Sequence, residues 1–218
     1  NHGSFIMSDW RRFSKNSGGF LLEKCCHDID IVLWLINSLP KKIASFGGLN
    51  FFKQSNSHIF NNFINKNKLT FNNYEISNNP FITDKDIVDN QISIIEFDNS
   101  VRAIFHTNAN SGIPERRMYI CGEKGTVRAD LLKGTIEIGL INDEFKRLIE
   151  NYKKESHGGG DEFFMKDLEN VMTKNDLLKD YMIDSVKSAV TCIAMEDARK
   201  NSRVINLNNY WEDLGIIN

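Results

Sequence analysis

Apolar and polar positions alternate along this chain with two different periods, and the changes of period mark its elements. From Phe20 to Ile36 the spacing is helical. Ile29, Val32, Leu33 and Ile36 fall three or four residues apart and predict one core-facing stripe. Gly18 and Gly19 cannot lie inside that helix without weakening it, so they predict a bend before it or a close backbone approach to a ligand. Asn37, Ser38 and Pro40 supply the stop. Lys42 to Phe52 then reads as a strand, with Gly47-Gly48 as a bulge or bend. Residues 53–84 are dense in Asn, Ser and Lys. They predict a long irregular insertion anchored by Phe60, Phe63 and Phe71.

The middle of the chain has the period of strands. Gln91 to Phe97 is β-rich, Asp98-Asn99-Ser100 is a turn, and Val101, Ala103, Phe105 and Thr107 alternate with Arg102, Ile104, His106 and Asn108. Arg116–Cys121, Thr126–Leu131, Gly134–Leu140 and Phe145–Tyr152 follow as further strands. Gly122-Glu123-Lys124-Gly125 lacks the strand-to-helix setting of a dinucleotide loop and reads as a hairpin turn. Helical spacing returns with Phe164, Leu168, Val171 and Met172, behind a glycine run that Asp161 is placed to cap. It returns again over Asp180–Asn201, where Ile183, Val186, Val190, Ile193, Ala194 and Ala198 are the expected core. Arg203–Leu207 reads as a last edge strand. Short turns between successive strands imply antiparallel pairing. The predicted class is α+β: an open, largely antiparallel sheet with helices on one face, as one domain over residues 1–218. Ile92, Ile94 and Phe97 do not share a face of their strand, which is consistent with burial on both sides of the sheet.

Composition narrows the function. With 218 residues, 41% of them hydrophobic, and a net charge of -2, nothing favours nucleic acid or an anionic membrane surface. No apolar run approaches the ~20 residues of a membrane span, and no signal peptide is expected. Cys25, Cys26, Cys121 and Cys192 form neither a metal pattern nor a disulfide frame, and read as reduced core thiols in a cytoplasm. The chain opens on Asn1 without methionine, which fits a fragment or trimmed chain.

The chemistry concentrates on the first long helix. Glu23, His27, Asp30 and Trp34 stand at steps of four, three and four and so share a face. A histidine with a carboxylate one turn away is a candidate acid/base. The same pattern fits a buried histidine satisfied by its neighbours, and a zinc site lacks a third ligand other than Asp30. Arg11 and Arg12, beside Trp10, fit either a bound anion or sugar hydroxyl, or pairing with surface acids. His157 sits in a glycine-rich loop at a helix start.

Taken together, Trp10-Arg11-Arg12, Ser17-Gly18-Gly19, Glu23-Lys24-x-x-His27-Asp28-x-Asp30 and Trp34-Leu35 resemble the C-terminal domain of the glucose–fructose oxidoreductase/inositol dehydrogenase/MocA family. These are two-domain NAD(P)-dependent oxidoreductases, mostly of sugars and polyols. The resemblance covers nearly all of this chain but only the second half of a typical member. It implies a dihydrodipicolinate reductase-like C-terminal fold whose N-terminal Rossmann domain is absent, and a sheet face that commonly meets another subunit. It implies hydride transfer between a secondary alcohol and C4 of the nicotinamide in a full-length parent. There His27 moves the hydroxyl proton, Glu23 orients His27, and Lys24, Arg11, His157 and Asp30 serve the substrate. The family more often has Asp at the Glu23 position, and its Glu-Lys-Pro motif is missing here. NAD or NADP is expected in the parent, with no cofactor on this chain alone, no turnover by it, and no metal. Two other expectations stand beside this one: an NAD-dependent glycosidase of the same family, and a non-catalytic sugar-binding or scaffold protein.

Overall fold

Alternation builds the first sheet. β1 (Pro40–Gly48), β2 (Asn90–Phe97) and β3 (Arg102–Asn108) are joined by antiparallel ladders, Phe46 facing Ile92 and Ile94 facing Ile104. The β2–β3 turn falls where Asp98-Asn99-Ser100 predicts it: Ser100 takes φ 67, and the Phe97 amide donates to the Val101 carbonyl at 2.9 Å. A two-residue β8 (Ile205–Asn206) closes the other edge against β1, giving the order β3-β2-β1-β8. In this computed structural model the chain is described over residues 3–60, 78–141, 147–151, 160–174 and 179–217. Its contacts divide into two compact units. The first comprises Asn1–Asn110 with Lys179–Asn218, and the second Ser111–Leu178.

Within the first unit, α1 (Gly3–Ser8) and the four-residue α2 (Ser14–Ser17) lead to the central helix. That helix has two parts. Leu21–Cys25 is a π-helical turn, and α3 (Cys26–Ile36) continues it as α-helix, ending at Asn37 in the left-handed region (φ 50). Gly18 (φ 72) caps α2 and Gly19 (φ 99) redirects the chain into the π turn, so both glycines occupy conformations that other residues adopt at a cost. The long α5 (Lys179–Asn201) and the short α6 (Asn208–Asp213) complete the unit.

One face of the first sheet meets the helices. Ile43, Ile95 and Phe97 are buried there with Ile29 and Leu33 of α3, Cys192, Ala194, Met195 and Ala198 of α5, and Trp211 of α6. The Trp211 indole donates to the Pro40 carbonyl at 2.8 Å, tying α6 to the start of β1. On α5, Val186 and Ile193 were expected in the core but lie exposed, seven residues apart on one side. Ala194 and Ala198 are buried as expected, and Ser188, Thr191, Cys192 and Met195 complete the buried stripe in place of Val186 and Ile193. The start of the chain shows no clear periodicity, yet Ile6 and Met7 of α1 are fully buried.

The second unit holds a four-stranded antiparallel meander: β4 (Arg117–Cys121), β5 (Gly125–Asp130), β6 (Thr135–Leu140) and β7 (Arg147–Asn151). Gly122 and Gly125 exchange backbone hydrogen bonds, so this glycine pair closes a hairpin as its sequence setting predicts. The unit also contains α4 (Gly160–Lys174), in whose first turn Asp161 lies. The fold class is therefore α+β with open antiparallel sheets, and the predicted strands are shared between two sheets of four. Of the expected 53–84 insertion, residues 61–77 lie outside the described residues, Phe63 and Phe71 with them. Phe60 packs against Phe81 with ring centroids 6.5 Å apart.

Candidate functional site

The α1–α2 segment and the π turn together build a cluster around Arg11. Asp9 caps the single turn Trp10–Arg12: its Oδ1 accepts from the Arg11 amide, and its Oδ2 accepts from Arg11 Nη1 at 3.1 Å. Arg11 Nε donates to Glu23 Oε1 at 2.6 Å. The guanidinium stands 4.3 Å from the centroid of the Trp10 ring and 4.7 Å from that of Phe5. Both π contacts favour a cation there. Arg11 and Glu23 are each half-buried, so this charge-assisted pair is better shielded from water than an ion pair at an open surface.

The structure thus brings two of the predicted site residues together, Arg11 and Glu23, but in an unexpected pairing. Helical spacing predicts the Glu23 carboxylate on His27. Among the described residues Glu23 pairs with Arg11, and no hydrogen bond or ion pair joins it to His27. The reason is tertiary: the turn that carries Arg11 brings its Nε within 2.6 Å of Glu23 Oε1, and the full charge there outcompetes the imidazole one turn on.

His27 opens α3 with its side chain exposed, and Lys24 and Asp30 are exposed on the same helix. Although Asp30 is exposed as a residue, partial desolvation raises its carboxyl above its ordinary value, Asp184 of α5 adds to that, and the nearby His27 opposes it. His27 and Asp30 are therefore electrostatic neighbours, as their spacing of three predicts. The face they share continues through Ile31 to Trp34, which is 76% exposed. Of the predicted core-facing stripe Ile29 and Leu33 are buried, while the side of the helix that carries His27 and Trp34 is open. His157, the remaining predicted site residue, lies outside the described residues.

Among the described residues Cys25, Cys26, Cys121 and Cys192 form no disulfide, and Cys25 and Cys192 are buried. Burial pushes the Cys26 and Cys192 thiols upward, which suits inert packing rather than nucleophilic use. Cys121 departs from the expected core set: it is exposed on β4. Among the described residues no group of three or more His, Cys, Asp or Glu side chains is gathered for a metal. No helix of the described chain is long and apolar enough to cross a membrane. Every described ladder is antiparallel, so the described residues hold no parallel β-α-β unit of the kind that cradles a dinucleotide. Sequence reasoning missed Asp9 and Phe5. An Asp two residues before an arginine is the one legible signal, because a carboxylate there can cap the turn that carries the guanidinium.

Comparison with known proteins fits this geometry. A family model described as the oxidoreductase family, C-terminal alpha/beta domain, matches residues 4–185. A search of curated protein sequences finds no match. Among solved structures, the aldose-aldose oxidoreductase from Caulobacter crescentus complexed with glycerol aligns with a TM-score of 0.63 at 13% identity, covering 92% of this chain and 51% of that one. UDP-N-acetylglucosamine 3-dehydrogenase GnnA from Acidithiobacillus ferrooxidans aligns at 0.58 and 14% identity, over 83% of this chain and 47% of that one. An oxidoreductase from Agrobacterium radiobacter in complex with NAD+, L-tartaric acid and magnesium aligns at 0.59 and 12% identity, over 88% and 50%. The chain spans about half the length of the structures it matches. At these identities the likeness is one of fold.

Proposed function

Because the chain belongs to the Gfo/Idh/MocA oxidoreductase family, as its C-terminal α/β domain, we propose that it is the substrate-binding and oligomerisation half of a cytoplasmic NAD(P)-dependent sugar or polyol dehydrogenase. The observation that carries this reading is His27, exposed at the head of α3, with Asp30 one turn on as its electrostatic neighbour. An imidazole open to substrate beside a carboxylate is suited to take a hydroxyl proton and to return it in the reverse direction. The nicotinamide, held by the nucleotide-binding half of the parent, supplies the hydride chemistry. Lys24, beside His27 on the open side, and His157 are the proposed donors to substrate hydroxyls. Asp30 sets the electrostatic surroundings of His27.

The antiparallel architecture of the described residues offers no dinucleotide cradle, so this chain alone is expected neither to bind NAD(P) nor to turn over. The uncovered face of the first sheet is the proposed homo-oligomer interface. It presents Phe46, Ile92, Ile94 and Ile104 in adjacent cross-strand positions.

The test is NAD(P)+-dependent oxidation of a sugar and polyol panel by the full-length parent. His27→Ala should lower kcat by about 10²-fold or more, the scale of a lost general base. Undiminished oxidation by that variant overturns the assignment. Release of free sugar from a nitrophenyl glycoside without net NADH would assign the protein to the glycosidase branch instead.

A further inference from the structure

The two long helices of the first unit have a second side, turned away from the sheet. On α3, Ile29 and Leu33 point into the core, and helical rotation sends Ile31, Trp34 and Leu35 the opposite way, in line with His27. All three are exposed, Trp34 most of all. On α5, Thr191, Cys192, Met195 and Ala198 point inward. Met182, Val186, Ala189 and Ile193 stand at steps of four, three and four and share the outer side. Met182, Val186 and Ile193 are exposed there. The two helices lie alongside each other and antiparallel, because Asp30 feels the charge of Asp184 while the Cys192 thiol feels Cys25 and Cys26. The two apolar stripes thus belong to one surface, with Met182 towards Trp34 and Ile193 towards the head of α3. A helix face of this spacing is ordinarily buried, and two of them side by side mark a surface that another body covers.

Resting on the reading of this chain as the substrate half of an NAD(P)-dependent dehydrogenase, we propose that this outer helical surface is where the parent's nucleotide-binding half docks, over Ile31, Trp34, Met182 and Val186. The chemistry selects the occupant. Hydride transfer needs nicotinamide C4 about 3–3.5 Å from the carbon that gives up the hydride. That same carbon bears the hydroxyl whose proton goes to His27. The body that carries the nicotinamide therefore stands over the His27 side of α3, and the apolar stripe begins one turn from that histidine, at Ile31. The described residues hold no dinucleotide cradle of their own, and the chain spans about half the length of the structures it matches. A second copy of the chain has a different place, the open face of the first sheet, on the side away from these helices. A partner in the same polypeptide needs little contact area, because the covalent link raises its local concentration far above that of a free protein.

The experiment uses the full-length parent and its double variant Trp34→Asp/Val186→Asp, which sets a charge on each stripe. NAD(P)H binding, read by fluorescence, should be unchanged, because the cradle lies in the other half. Turnover should not survive as well: kcat/KM should fall by about 10²-fold, the scale of a misplaced reacting pair. Small-angle scattering should give a larger radius of gyration at unchanged mass, as two halves joined only by their linker spread apart. Trp34→Ala, a milder change at an exposed position, should move kcat/KM and the radius in the same direction with the far-UV spectrum unaltered. It decides the matter if the double variant folds poorly. Unchanged kcat/KM and radius of gyration in a folded variant overturn the proposal. A drop in mass makes the helices a contact between copies, and overturns it as well. A parent that binds no NAD(P)H overturns the dehydrogenase reading itself, and the identity of the docked half falls with it.

Discussion

Asp30 shows how a single residue reports its surroundings. Partial desolvation raises its carboxyl, the Asp184 charge raises it further, and His27 offsets part of the effect. A carboxyl raised on folding holds its proton more tightly in the native state than in the unfolded chain. Its ionised form therefore costs stability above the native value, and the cost fades as pH falls through that value towards the ordinary 3.8. Asp30→Asn removes the charge and should raise Tm at neutral pH, with the gain disappearing below 3.8. Paired thermal melts at the two pH values check this, and a neutral-pH variant no more stable than the parent contradicts it. At the same scale, the types of the candidate residues were legible in the chain, but their pairing was not. Glu23 and His27 stand four apart and look like partners. Glu23 nevertheless binds Arg11, twelve residues upstream in sequence, because α1, the Trp10–Arg12 turn and α2 fold back to bring the guanidinium to the π turn.

Elements depend on local pattern for their existence and on tertiary contacts for their junctions. The β2–β3 hairpin, the Gly122–Gly125 turn and the Asn37 stop all lie where turn chemistry places them. The end of β1 has no comparable signal. There Asp89, 1% exposed, accepts hydrogen bonds from the amides of Asn50, Phe51 and Phe52 and from the Asn90 side chain. Its own backbone receives Ala109 and donates to Gly48. One residue, by its carboxylate and its backbone, thus ties the segment after β1 to the start of β2 and the end of β3. Asp89→Asn keeps the shape but replaces an acceptor with a donor facing donors. It should cost about 2–3 kcal/mol, the usual penalty for unsatisfied buried groups. Urea unfolding measures it, and a loss below about 0.5 kcal/mol, the range of an ordinary surface substitution, would show that the amides find other partners.

At the scale of the molecule, the first sheet is two-sided. Its covered face holds Ile43, Ile95 and Phe97. Its other face presents Phe46, 72% exposed, and Ile104, 76% exposed, around Ile92 and Ile94. The row Lys42–Glu96–Arg102, paired at 3.6 and 3.8 Å, bounds that apolar field at one end. An apolar patch framed by charge is the anatomy of a protein interface. Ile94→Asp, at the centre of the patch and directed away from the core, should shift the parent to a smaller species. The shift is read by light scattering coupled to size exclusion, with the far-UV spectrum unchanged. An unaltered mass would move the interface elsewhere.

The chain by itself determined what local stereochemistry and periodicity can determine: where helices stop, which strands are hairpin partners, which strand positions share a face, and the family to which its motifs belong. Ile92, Ile94 and Ile104 lie on one side because strand side chains alternate whatever surrounds them. Tertiary structure decided the rest. It set the π turn within an apparently regular helix, the capture of Glu23 by Arg11, the exposure of the His27–Trp34 side, the burial of Asp89 and the division of the strands into two sheets. The reason is physical. Each of these depends on groups that come together only when the chain doubles back, and neither spacing nor propensity along one segment encodes which distant group will occupy the space beside it.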